Sequence, residues 1–156
     1  IYYQPASVIL KQAKDMGYEP TFFGVDGMDG ILTLKGFDTS LAEGVMLLTP
    51  FAADSTDELT QNFVKTYNDK YGQTPTQFAA DAYDAVYAVY EAINKASCTS
   101  DMTTEEICDA IVAVMPNIVL NGLTGQGMTW KSTGEVSKEP KAVVIKNGTY
   151  VLPENQ

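Results

Sequence analysis

The pattern of apolar and polar positions divides the chain into recognisable elements. Ile1-Tyr2-Tyr3 is strand-like and reads as the tail of a strand, and Pro5 suits the first turn of a helix. Ala6, Ile9, Leu10, Ala13 and Met16 recur at helical spacing, with Lys11, Lys14 and Asp15 opposite, and Gly17 is a natural stop. The short apolar run 21–25, Thr-Phe-Phe-Gly-Val, fits a buried parallel strand. Strand, helix and strand in so short a stretch predict a βαβ unit whose strands lie side by side. Residues 29–35 could form a short helix, and 43–51 read as a third buried strand. Ser55 and Glu58 have the spacing of a capping box, followed by Leu59, Phe63, Val64 and Tyr67 on a helix that stops near Gly72.

From 78 to 96 the pattern is a long helix, apolar almost all round. Phe78, Ala82, Val86, Val89 and Ile93 share one side, with a stripe of Tyr83, Tyr87 and Tyr90 beside it. Core packing is the simplest role for that stripe. Thr103 and Glu106 form another capping box before Ile107, Ile111 and Val114, and Pro116 ends that helix. In the tail, Asn147-Gly148 between apolar runs is a hairpin signal. The fold class this predicts is α/β: a Rossmann-like parallel sheet layered with helices, closed by a C-terminal β-hairpin.

Composition narrows the function. A chain of 156 residues that is 45% hydrophobic and 10% aromatic can build a real core. Ten basic against twenty acidic side chains give a net charge of −10, which repels phosphate backbones and anionic lipid, so nucleic acid is not an expected partner. There is no histidine, which excludes Ser-His-Asp and Cys-His catalysis and His-ligated zinc. Two cysteines cannot make a four-cysteine zinc site. No apolar run approaches a membrane span. The start at Ile1, without Met, reads as a mature product or an excised piece.

Two acids follow the second strand, Asp26 and Asp29, in Gly-Val-Asp-Gly-Met-Asp-Gly. Ligands of open parallel sheets sit beyond the carboxyl ends of the strands. If the strands at 1–3 and 21–25 are neighbours, Tyr2 and Asp26 project from one rim. A carboxylate beside a phenol is a good receptor for an ammonium group. Spacing alone favours a plainer reading, with Asp26-Gly27 as a turn and Asp29 as a helix cap. Two acids on one loop lack the further oxygen ligands that calcium needs, and no acid–base pair or activated nucleophile stands out.

The segments YYQPASVILKQAKDMGYEPTFFGVDGMDG, LAEGVMLLTPF, FVKTYNDKYGQTPTQFAADAYDAVYAVYEAI and GLTGQGMTWKSTGEV occur in an order that resembles the C-terminal part of type I periplasmic or extracellular substrate-binding proteins of the branched-chain amino acid class. The resemblance covers nearly the whole chain. It implies a binding protein rather than an enzyme, with no cofactor. The implied partners are an amino acid held between two Rossmann-like lobes and the permease of an ABC importer. The implied location is extracellular or periplasmic, as a cell-surface lipoprotein when full length. Family members are more than twice this length, so the resemblance implies that the first lobe's sheet is absent here.

By family topology, 1–50 is a βαβ segment of the C-terminal lobe. Residues 51–128 are helices that pack on the N-terminal lobe, reached by a crossing near Thr49-Pro50-Phe51, and 129–156 return to the C-terminal lobe. Those helices then need another partner for their apolar faces, with a second copy of the chain as one candidate. The family's aromatic and acidic ligand contacts map to Tyr2 and Asp26. Some members carry Glu at the second position, and Asp26 is one methylene shorter. Asp29 is then expected to cap the helix after it, and a chain carrying half a site is expected to bind amino acids weakly or not at all. The same fold also serves ligand-sensing regulatory ectodomains, and a receiver-like phosphoryl-transfer domain would use Asp26 and Asp29 with magnesium. An extracellular compartment permits a disulfide between Cys98 and Cys108, which a helix–loop–helix could bring together.

Overall fold

The computed structural model describes residues 1–153. It contains ten elements: α1 (Tyr3–Asp15), β1 (Phe23–Gly24), β2 (Met46–Thr49), α2 (Glu58–Tyr71), α3 (Gln77–Lys95), α4 (Thr104–Val114), β3 (Val119–Leu120), β4 (Met128–Thr129), β5 (Lys141–Lys146) and β6 (Thr149–Val151), with single 3₁₀ turns between them. They form two compact units. The first comprises Ile1–Gln77 and the C-terminal segment from Pro140; the second is Phe78–Glu139.

The first unit is built on a mixed four-stranded sheet in the order β1-β2-β5-β6. β1 runs parallel to β2, with Phe23 opposite Met46, whereas β2–β5 and β5–β6 are antiparallel. The parallel character read from the sequence therefore holds for one pair, and the hairpin adds the antiparallel ones. Asn147 and Gly148 turn that hairpin with φ of 53° and 72°, the left-handed pair that a two-residue loop demands. α1 lays Ala6, Leu10 and Ala13 inward. Ala6 and Leu10 pack with Met28, Ile31, Ala42, Val45, Leu47, Val143 and Ile145 in one core. Ile9 and Met16 of the anticipated face are exposed.

Ile1 and Tyr2 form no strand. The Ala6 amide donates to the Tyr2 carbonyl, so Tyr2 is the N-cap of α1 and Tyr3 is already helical. α2 also starts differently from expectation. Asp57, not Ser55, is its N-cap and accepts from the Thr60 amide at 2.9 Å. The Ser55 hydroxyl instead donates to Asp57 at 2.7 Å and orients it. Gly72 ends α2 in the left-handed conformation (φ 69°) as expected. Phe51 meets Phe63 edge to face, with centroids 6.1 Å apart.

In the second unit, α3 buries a different stripe from the one its large side chains suggest. Ala80, Asp84, Ala88 and Ala92 are buried, whereas Val86 is 68% and Tyr90 58% exposed, and Phe78, Tyr87, Val89 and Ile93 are exposed as well. Of the tyrosines expected to pack in a core, Tyr87 and Tyr90 are exposed and Tyr83 is half-buried. Tyr83 and Tyr87 instead lie against each other, centroids 4.7 Å apart.

Small residues let the β3–β4 hairpin approach closely: Ala88, Leu120 and Met128 form a cluster with Trp130 and Val136 against it. The buried Asp84 carboxylate fastens this approach, accepting from the Leu123 and Thr124 amides at 2.8 Å each and from the Thr124 hydroxyl at 2.6 Å. Gly122 is required there, because a Cβ at that position would fall on the Asp84 carboxylate. α4 carries the anticipated capping box: Glu106 accepts from the Thr103 amide at 2.8 Å and donates its own amide to the Thr103 hydroxyl at 3.2 Å. Cys98 and Cys108 are free thiols. The expected disulfide is absent, and Cys108 stands exposed on α4.

Candidate functional site

The carboxyl end of β1 carries the first acid. After Gly24 the chain enters a 3₁₀ turn, Asp26–Met28, closed by the Met28 amide on the Val25 carbonyl and the Asp29 amide on the Asp26 carbonyl, both 2.9 Å. Gly27 sits against the start of the chain. A Cβ there would come within 2.8 Å of the Ile1 carbonyl oxygen and 3.6 Å of the Tyr2 ring. The absence of a side chain at 27 therefore lets the Ile1 carbonyl pack against the turn that Asp26 opens, with the Tyr2 ring nearby. Tyr2 and Asp26 are both exposed. Tyr2 reaches this place as a helix N-cap and not from a neighbouring strand, so the rim is made by a helix start and a strand end.

Asp29 does something else. It is only 5% exposed. One carboxylate oxygen accepts from the Gly30 amide at 2.8 Å, and the other accepts from the Gln77 amide at 2.6 Å. Gln77 is the first residue of α3, so Asp29 caps a helix 48 residues further along the chain. The adjacent turn, Ile31–Thr33, takes Gly30 as its N-cap and has no side-chain cap, which corrects the local role expected for Asp29. Tyr150 of β6 completes the network. Its hydroxyl accepts from the Gly30 amide at 3.1 Å and donates to Asp29. Burial, and then the negative charge of Asp29, push the Tyr150 phenol well above its ordinary pKa.

Gln77 was not singled out in the sequence. It is 1% exposed and uses both ends of its side-chain amide. Its Nε2 donates to the Asp26 carbonyl at 2.7 Å, and its Oε1 accepts from the Thr49 hydroxyl at 3.1 Å. Thr49 lies at the end of β2 and also accepts from the Phe51 amide at 3.2 Å. The backbone of the Asp26 turn is thus tied through one side chain to the residues that follow β2. The only local signal was Gln77's place at a helix start behind Pro75, which says nothing about partners 28 and 51 residues away.

Among the described residues, grooves open on the first unit. One, about 570 Å³, is lined by Leu32, Thr33, Asp54, Thr74, Thr149 and Tyr150; another, about 830 Å³, runs between α1 and residues 34–41. Neither is lined by Tyr2 or Asp26. Among the described residues no three carboxylate or cysteine side chains gather as a metal site, and no helix is long and apolar enough to cross a membrane. The chemistry available at Asp26 is that of an exposed carboxylate on a 3₁₀ turn, which is suited to holding a cation.

Comparison with known proteins extends this picture. The family profile described as periplasmic binding protein matches residues 2–149. No curated protein matches the chain. Among solved structures, the leucine-binding protein LivK of Thermotoga maritima MSB8 superposes with a TM-score of 0.77 at 24% identity, over 97% of this chain and 41% of that one. The branched-chain amino acid transporter substrate-binding protein LivJ of Streptococcus pneumoniae, solved with isoleucine, gives 0.76 at 25% identity, over 98% and 43%. A solute-binding protein of an ABC transporter from R. palustris, solved with benzoate, gives 0.75 at 18% identity, over 94% and 39%, and speaks for the fold alone. The chain spans about two fifths of the length of these structures. With its profile match over nearly every residue, the chain belongs to the periplasmic binding protein family.

Proposed function

We propose that this chain is part of the solute-binding component of an ABC importer and supplies half of an amino-acid site, with Asp26 pairing the ligand ammonium and Tyr2 flanking it. The observation that carries this reading is the exposed Asp26 carboxylate just beyond the carboxyl end of β1, in a turn whose Gly27 lies near the Tyr2 ring. The family match and the ligands of LivK and LivJ, leucine and isoleucine, support it.

The groups that hold the ligand carboxylate belong, on this reading, to a second lobe outside this chain. Residues 51–128 would pack on that lobe in the full-length protein, while 1–50 and 129–156 stay with the lobe carrying Asp26. The exposed apolar residues of α3 support that assignment, since such a face needs a cover. A binding protein of this kind does no covalent chemistry, recruits a permease and works outside the cytoplasm, at the cell surface or in the periplasm.

Benzoate, the ligand of one fold relative, has a carboxylate and no ammonium. An uncompensated Asp26 would repel it, so the two ligand classes make opposite predictions. Calorimetry on the full-length protein with leucine, isoleucine, valine and benzoate separates them. Saturable binding of at least one of the three amino acids and none of benzoate is expected. Binding of benzoate alone would overturn the proposal.

A further inference from the structure

We infer that Gln77 is a positioning residue for the ammonium socket, acting through Asp26; this rests on the amino-acid reading above. Asp26 is exposed, and a carboxylate that serves as a socket needs a fixed direction. The backbone is one source of that direction. The Asp26 carbonyl receives two donors, the Asp29 amide at 2.9 Å and Gln77 Nε2 at 2.7 Å. The first is local and belongs to any 3₁₀ turn. The second comes from a side chain that is 1% exposed and held at three points. Its amide N–H is on Asp29 at 2.6 Å, its Oε1 on the Thr49 hydroxyl at 3.1 Å, and its Nε2 on Asp26.

A glutamine so held has one rotamer available, and its Nε2 pins the 26–27 peptide plane from which the Asp26 side chain departs. The same clamp runs to Thr49, at the end of the strand hydrogen-bonded to β1. The socket loop is therefore registered to both strand ends at once. Binding a cation to a pre-set carboxylate avoids ordering the loop on each encounter, which is the general source of affinity from preorganisation.

The test is a double-mutant cycle in the full-length protein, read by calorimetry with leucine. Gln77→Met keeps the volume and apolar stem and removes both side-chain hydrogen bonds; Gln77→Glu keeps an acceptor for Thr49 but sets a carboxyl oxygen, and a buried charge when ionised, against the Asp26 carbonyl. Each is expected to weaken leucine about tenfold, the size of one lost hydrogen bond in a buried setting. In an Asp26→Asn background the same substitutions are expected to cost less than threefold, because there is no charge left to position. A purely structural role would give the same factor in both backgrounds, and that outcome overturns the inference, as does unchanged affinity in the single variants. If Gln77→Met does not fold, Gln77→Glu carries the cycle. Wild-type protein that binds none of the branched-chain amino acids would overturn the amino-acid reading itself, and the role of Gln77 with it. Binding by wild type with additive losses would overturn the role of Gln77 alone.

Discussion

Replacing Asp29 by Asn separates a buried network from a surface cap. At an exposed N-cap the two residues are interchangeable. Here each carboxylate oxygen accepts a different backbone N–H, Gly30 at 2.8 Å and Gln77 at 2.6 Å, and the Tyr150 hydroxyl donates as well. An amide has one acceptor oxygen, and its NH₂ group would face an N–H. The N–H that faces this NH₂ group loses its carboxylate acceptor, at a cost of up to about 3 kcal/mol, less if it is the Gly30 amide, which keeps the Tyr150 hydroxyl. The two remaining bonds lose their charge assistance, and the first turn of α3 loses a favourable anion worth about 0.3–1 kcal/mol. Together these give a destabilisation of about 3 kcal/mol for Asp29→Asn. Asp26→Asn changes an exposed side chain and should stay within about 0.5 kcal/mol. Urea unfolding followed by circular dichroism on both variants measures the difference. Equal midpoints, or a larger drop for Asp26→Asn, would refute the network.

Three further outcomes follow from the same hydrogen bonds. Tyr150 has a folded pKa raised above its unfolded value of ~10, so its contribution is fully present below that pH and is lost as pH rises through the folded value. Wild type should therefore lose stability above about pH 10 more steeply than Tyr150→Phe, and parallel alkaline unfolding curves would contradict this. At α2, Asp57→Ala should cost about 1 kcal/mol and Glu58→Ala clearly less, since Asp57 holds the Thr60 amide; the reverse order in thermal unfolding would restore the Ser55–Glu58 box. Thiol titration of the unfolded, unreduced protein should count two free thiols, and none would mean that Cys98 and Cys108 are bridged.

What could be read from the sequence was whatever local chemistry decides. Gly72 and the Thr103–Glu106 pair marked real helix ends, and Asn147-Gly148 marked a real hairpin, because each feature acts within a few residues. The face of α3 was misread for a physical reason: periodicity weights large side chains, whereas the β3–β4 hairpin packs where Ala88 and Asp84 leave room. Asp29 was read as a cap for the helix after it and Asp84 was not singled out, since their partners lie 48 and 39–40 residues away. The strand at 1–3 failed because the Tyr2 carbonyl is taken by the first helical turn. Tyr2 starts a helix and does not end a strand, and its ring lies near Gly27, the residue after Asp26.

Asp26 as the ammonium socket is tested by the affinity of the full-length Asp26→Asn protein for the branched-chain amino acid that binds wild type most tightly. Removing one partner of an enclosed charge pair costs about 2–5 kcal/mol, a loss of roughly 30-fold or more. The account predicts that loss with an unchanged unfolding midpoint. Affinity within about twofold of wild type would contradict it and place the ammonium elsewhere.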